Sequence, residues 1–235
     1  MDSINYKKLY DDINASPGMI YYKLIMSYDV SRGIFVGNYQ QLRQILLHIH
    51  DPQKSFDLFN VDNRDRLRLA QIEVVRLFHN FTAAALTLVE HCRLMMRDDA
   101  VKVEHRGTYQ DKVNATFAND PLSSFVQGLR NYILHCGIPF SGMTLKWTQE
   151  SQQIDSRVVL DIGKMKDWDG WRGKGKEYVT NAPDSLVMLD LVEEYGSKVE
   201  EFQKWFAVWF VSIHKSELDA LQMLQTKWNE GIMTP

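Results

Sequence analysis

Asp62-Asn-Arg-Asp-Arg-Leu67-Arg-Leu-Ala70-Gln-Ile-Glu-Val74-Val-Arg-Leu-Phe78-His-Asn-Phe81-Thr-Ala-Ala-Ala85-Leu-Thr-Leu88-Val-Glu-His-Cys92-Arg-Leu-Met95 is the stretch that decides the fold. Leu67, Ala70, Val74, Phe78, Phe81, Ala85, Leu88, Cys92 and Met95 recur every three or four residues, the spacing of one face of a long amphipathic helix. Asp62 or Asn63 opens it, and the pattern fades at Arg97-Asp98-Asp99. The opposite face carries Arg64, Arg68, Arg76 and Arg93, which read as a solvated surface.

Working outward, the chain reads as more helix on both sides. Asn38 can cap a helix that carries Leu42, Ile45, Leu46 and Ile49 and ends at Asp51-Pro52. Residues 1–37 read as an N-terminal extension packing on the main body, with a turn at Ser16-Pro17-Gly18 and a short helix over Met19 to Met26. Beyond the decisive helix, 101–120 is a connector with helical stretches. Asp120-Pro121 then starts a helix whose buried side is Phe125, Leu129, Tyr132 or Ile133, and Cys136, with Gly137 and Pro139 ending it. Thr144 to Thr148 and Ser156 to Ile162 change to the strand period, so a β-hairpin is expected, followed by an irregular stretch from Gly163 to Tyr178. From Pro183 the helical stripe returns through Leu186, Leu189, Val192, Val199, Phe202, Phe206, Trp209 and Ile213, and Ser216 caps a last helix through Leu221, Leu224 and Trp228. The expected fold is mainly α: an up-and-down helical bundle over 38–230 with a β-hairpin and loop inserted at about 142–180.

Composition narrows the class of protein. Hydrophobic residues make up 45% of the 235, enough to bury a sizeable core and too many for a disordered chain. Lys+Arg is 27 against Asp+Glu 30, which argues against a protein coated in positive charge, although a local basic patch is compatible with it. Two cysteines, Cys92 and Cys136, make no disulfide framework and no thiolate zinc site. Met1 to Asp12 is polar, and the apolar run Trp205 to Ile213 is well short of the ~20 residues of a membrane helix. A cytoplasmic protein with no membrane contact is expected.

One segment carries chemistry: Phe125-Val-Gln-Gly-Leu-Arg130-Asn131-Tyr-Ile-Leu-His135-Cys-Gly137. Asn131 and His135 are four apart and share a helix face. Arg130 lies five before His135, about 140° round the helix and roughly 7.5 Å along it, and its length lets the guanidinium reach the same groove. His135 sits in the last turn, where unpaired carbonyls favour the protonated ring. An arginine beside a titratable histidine makes a metal-free phosphate site, with a fork for the oxygens and a group that moves protons. A cationic side chain also suits a helix C-terminus for dipole reasons alone, so spacing leaves both readings open.

Arg130-Asn131-Tyr-Ile-Leu-His135 resembles the R-x(4–6)-H motif of the HEPN superfamily, commonly R-N-x-x-x-H, near the end of a helix that follows a long core helix. Trp171, Lys176-Glu177-Tyr178, Glu193-Glu194-Tyr195 and Trp205-Phe206 also have the look of bacterial proteins that carry this motif. The resemblance covers roughly 38–140 and 183–230. It implies a homodimer whose two motifs meet across a cleft, acting as a metal-independent endoribonuclease of a toxin–antitoxin, antiphage or RNA-processing system. His135 would be general acid or base, Arg130 would stabilise charge on the phosphate, and Asn131 would orient His135 or bind phosphate. An antitoxin or other partner protein belongs to many such systems. The tyrosine found two residues after the histidine in members silenced by a nucleotidyltransferase is Gly137 here, so that regulation is not implied. The same family implies an alternative, a non-catalytic binding or scaffold protein of the same fold.

Two other stretches have candidate chemistry. Lys164, Lys166, Trp168, Trp171, Arg172 and Lys174 mix cations and indoles in a way that grips single-stranded RNA, although tryptophans docked on the bundle account for the same pattern. The glycines among them lack the spacing of a phosphate-binding Walker loop. His48-Ile-His50-Asp51 places its histidines two apart, off a common helix face, so no metal is expected there. No motif calls for a cofactor.

Overall fold

The computed structural model describes residues 6–98, 101–137, 139, 141–148 and 153–233. Helix α1 is Tyr6–Ala15. Ser16 then accepts the Met19 N–H on its hydroxyl and Pro17 takes the first helical position, which starts α2, Pro17–His50, a helix of 34 residues. The helix start expected at Asn38 is therefore not there. Asn38 lies inside α2 with its side-chain amide donating to the Ile34 carbonyl, and the expected short helix over 19–26 is the first part of the same rod. The reason is the buried stripe Tyr21, Tyr28, Phe35, Tyr39, Leu42, Leu46 and Ile49, which keeps one face through the region that looked like an extension. Aromatic and polar residues mixed on that stripe disguised its period.

A short α3, Pro52–Ser55, leads through two 3₁₀ turns to α4, Arg64–Arg97. Its buried residues include Val74, Phe78, Phe81, Ala85, Leu88, Cys92 and Met95, as the period required. α4 runs antiparallel to α2, with Phe35 against Phe81 and Ser31 bonded to the His91 ring. Within Val61–Arg97 a window is apolar and long enough to cross a membrane by composition, a stronger stretch than Trp205 to Ile213; 44% of that window is buried inside the protein.

α5 is Val103–Val113, continued by a π-helical turn Asn114–Ala118. α6, Pro121–Cys136, begins where expected: Asp120 accepts the Ser123 N–H at 2.9 Å, and Gly137 ends it at φ 101°, a backbone geometry that favours glycine. Asp120 also pairs with Lys198 at 2.7 Å. Burial opposes ionisation of this carboxyl, but hydrogen bonds from Lys198 and Ser123 outweigh it and hold the pKa below the ordinary value.

The hairpin forms as β1, Ser141–Thr148, and β2, Gln153–Asp161, antiparallel with Leu145 opposite Ser156. Its turn lies outside the described residues. The stretch expected to be irregular is partly helical, as α7, Ile162–Lys166, and α8, Gly173–Asn181. Pro183 does not open a helix. It precedes β3, Ser185–Val187, which pairs with β2 and makes a three-stranded antiparallel sheet, one strand more than expected. Val158, Leu160 and Ile162 face inward and tie the sheet to the bundle.

α9, Met188–Ile213, buries Val192, Tyr195, Val199, Phe202, Phe206 and Phe210 and packs antiparallel along α2. Gly196 lets Tyr39 approach, since a Cβ there would sit 2.3 Å from its ring. α10, Lys215–Met233, follows after His214 alone. Ser216 is already inside it and donates to Glu217, so it is no cap. The N-terminal helices pack on this end, with Tyr6 and Tyr10 against Trp228. The architecture is mainly α, with one core shared by α2, α4, α6 and α9 and the insertion seated on α6.

His214 is the buried polar group of that last junction. It is 2% exposed, stacks on Tyr21 with ring centroids 3.6 Å apart, and has an Nε2 without a partner among the described residues. Burial, with His105 and Lys102 adding to it and Glu217 opposing, lowers its pKa below the ordinary 6.5. Above that value the ring is neutral in both folded and unfolded chains. Below it the unfolded chain takes a proton that the folded one resists, so stability falls as pH drops from 6.5 toward the depressed folded pKa. Urea midpoints measured between pH 7 and pH 5 are expected to fall less steeply in His214→Phe than in the natural chain. Parallel curves would contradict this.

Candidate active site

The motif occupies the second half of α6. Ser124 lies three and four residues before Gln127 and Gly128, and Asn131 four and three after them, so they form one stripe, and His135 continues it by one more turn. The other faces of α6 are committed to the core through Leu122, Phe125, Val126 and Leu129. The polar stripe is thereby left outward. Arg130, Asn131 and His135 are all exposed, and among the described residues none of the three side chains has a hydrogen bond or ion pair. Asn131 and His135 share a face as expected, yet they do not bond to each other.

Alongside the stripe runs a cleft of about 390 Å³. Ser124, Gln127, Gly128, Arg130 and Asn131 of α6 form one wall, Leu86 of α4 the floor, and Trp168, Gly170, Trp171 and Arg172 the other wall. His135 lies beyond its end, in the last turn. Among the described residues, no aspartate or glutamate lines it.

The six loop residues singled out in the sequence separate into two groups. Lys164 pairs with Asp161, Lys166 with Asp184 at 2.8 Å and Lys174 with Glu177 at 2.7 Å, so these cations are partly neutralised and none lines the cleft. Trp168, Trp171 and Arg172 do line it. Trp171, however, acts inward. It is 3% exposed, stacks on Phe125 and Tyr132 at 5.3 and 5.9 Å, and donates its indole N–H to the Met165 carbonyl at 2.7 Å. Buried to that extent, the ring offers no face to a base. Trp168 is half-buried, edge-on to Trp171 and Tyr132, and remains accessible from the cleft. Arg172 is exposed and bonds through Nη1 to the Asp169 and Trp171 carbonyls, which sets the direction of its guanidinium.

Packing of the insertion on α6 depends on Gly128. A Cβ at that position would lie 2.6 Å from the Trp171 ring. Phe125, Tyr132 and the Met165 carbonyl hold that ring in place, so it has little room to yield. Gly128→Ala is expected to destabilise by ~1–3 kcal/mol of overpacking, partly offset by the ~1 kcal/mol that alanine contributes in a helix. A thermal midpoint at or above that of the natural chain would contradict the close approach.

Ser124, Gln127, Gly128, Gly170 and Leu86 were not expected at the site. The stripe on α6 carried a signal for the first three, because a polar line with a glycine in it marks a face that something approaches closely. Leu86 and Gly170 reach the cleft only through tertiary packing. Burial chiefly, with nearby Cys136, Asp161 and Asp167, raises the pKa of Tyr132, so its phenol stays protonated beside the indoles. Cys92 is buried and its thiol is pushed up to about 12, whereas Cys136 is exposed one residue after His135. Among the described residues, no group of three or more His, Cys, Asp or Glu side chains is placed to hold a metal ion. No protein-family model, curated protein or solved structure matches this chain.

Proposed function

We infer that the chain is an HEPN-like, metal-independent endoribonuclease whose active site is completed by a second copy, with Arg130, Asn131 and His135 as its catalytic set. The observation that carries this reading is that three polar groups suited to phosphate chemistry stand exposed at one end of α6, beside a polar cleft, with neither a side-chain partner on them nor a carboxylate in the cleft among the described residues. A histidine and an arginine with only a helix-ending role have no need of such a cleft.

The chemistry is proton transfer plus charge stabilisation. A base removes the proton from a ribose 2′-hydroxyl, the 2′-oxygen bonds to the adjacent phosphorus, and the 5′-oxygen leaves with a proton from an acid. The products are a 2′,3′-cyclic phosphate and a 5′-hydroxyl. His135 of one copy fills one of these roles and that of the second copy the other. Arg130 meets the charge that builds on the phosphate oxygens through its fork of N–H donors. Leu134, 67% exposed beside His135, gives the second copy an apolar contact next to the motif.

The test is incubation of purified protein with mixed cellular RNA in EDTA, beside His135→Ala and Arg130→Ala. Cleavage that both variants lose supports the reading. Intact RNA at high protein excess, or equal cutting by the variants, leaves the binding or scaffold alternative standing. A strict monomer at micromolar concentration would remove the composite site. Bacterial defence or toxin–antitoxin membership, with an antitoxin-like partner, belongs to the same proposal.

A further inference from the structure

The geometry points to a nucleotide subsite in the cleft between α6 and the inserted loop, in which Arg172 and Arg130 hold one phosphate while Gln127, Asn131 and Trp168 receive the base. This deepens the endoribonuclease reading and rests on it only for the source of the nucleotide, the unit of an RNA chain whose phosphate is being cut.

Charge is the first argument. The chain has a net charge of -3, and Lys164, Lys166 and Lys174 of the insertion sit beside carboxylates, yet among the described residues the cleft is lined by two arginines and no acid. Arg130 comes from α6 and Arg172 from the facing loop, so two cationic residues line one space of about 390 Å³. An arrangement of that kind costs free energy until an anion enters, and a phosphate offers both guanidiniums an acceptor edge. Arg172 is held in direction by the two carbonyls it bonds, which lessens the ordering needed on binding.

Shape and polarity are the second. The volume lies at the lower end of small-ligand clefts, about 300–1,000 Å³, which suits one nucleotide and not a folded RNA. Gln127 and Asn131 each carry a donor and an acceptor, as a base edge requires, and Ser124 adds a hydroxyl to the lining. Trp168 supplies an indole that its neighbours leave partly open, whereas Trp171 beneath it is fully engaged and serves as its support.

Binding would be measured by calorimetry with adenosine 5′-monophosphate, adenosine, inorganic phosphate, and a short oligoribonucleotide with 2′-O-methyl riboses that cannot be cut. The mononucleotide or the oligonucleotide is expected to bind more tightly than adenosine or inorganic phosphate. Arg172→Gln and Arg130→Gln should each weaken that binding roughly 10- to 100-fold, the loss of a charge-assisted contact. Arg172→Lys, which keeps the charge without the fork, should recover part of it, and this separates a lost contact from a loosened loop. Binding of the oligonucleotide alone identifies the source as an RNA chain, and binding of both admits a free nucleotide. Binding no tighter than that of inorganic phosphate, or unchanged in Arg172→Gln, overturns the inference. His135→Ala keeps the two proposals apart, because it should abolish cleavage and leave the binding intact. Cleavage that depends on His135, with binding and KM indifferent to Arg172, would sink the subsite alone. Binding that depends on Arg172 with no cleavage would sink the nuclease alone.

Discussion

Substituting His135 with alanine is expected to slow RNA cleavage by ~10²–10⁴-fold, the range in which positioned proton transfer acts. The same substitution should leave the urea midpoint almost unmoved. His135 is exposed in the last turn of α6 and bonds to nothing among the described residues, so its removal opens no cavity and strands no partner. That combination, a large rate effect with no stability effect, is what separates a catalytic group from a helix cap. A capping histidine gives the reverse pattern, a modest loss of stability with cleavage intact. Labelled RNA in EDTA, assayed at fixed protein concentration with denaturation curves on the same preparations, checks both halves. In a composite site that uses His135 of both copies, mixing His135→Ala with the natural chain should lower activity below the share of natural chain present, since a mixed dimer lacks one of the two histidines.

The largest expected effect on stability is that of Trp171→Ala. Removing a fully buried tryptophan costs ~3–5 kcal/mol. The Met165 carbonyl also loses its indole donor, and Phe125, Tyr132 and Trp168 lose the ring that they pack on. Guanidinium denaturation is expected to report the full loss. The near-ultraviolet circular dichroism should weaken with it, because the aromatic cluster that joins the insertion to α6 is broken. A loop tryptophan that stacks on RNA predicts the opposite, unchanged stability and weakened RNA binding. A stability loss under 1 kcal/mol would overturn the structural role of Trp171 set out above. Trp168→Ala is the milder change, since that ring is only half-buried.

Legibility differed sharply between parts of the chain. The decisive helix, the Asp120-Pro121 start, the glycine stop at Gly137 and the hairpin strands are all present within a few residues of their expected places. Each has a local cause, either a hydrophobic period or a residue whose backbone chemistry acts on its own neighbours. Failures came where the cause is distant. The 34-residue α2 was divided at Asn38 because tyrosines and serines interrupt its apolar stripe. Tyr28 is buried there through a bond to Gln203, which lies 175 residues away, and no local pattern reports that. β3 has no signal of its own, because three residues become a strand only when β2 lies beside them.

The candidate site divides the same way. Arg130, Asn131 and His135 were legible as a set because helical spacing alone places them on adjoining faces of α6. What surrounds them was not. Six loop residues looked equivalent in sequence, and tertiary packing buried Trp171, paired three lysines with carboxylates, and brought Trp168 and Arg172 to the cleft. The sequence by itself determined a helical core, an inserted hairpin and the residues of the motif, since periodicity and capping act over a few residues. Only the tertiary structure decided which cations remain free and which aromatic is accessible, because pairing and burial depend on groups that the chain brings together from far apart.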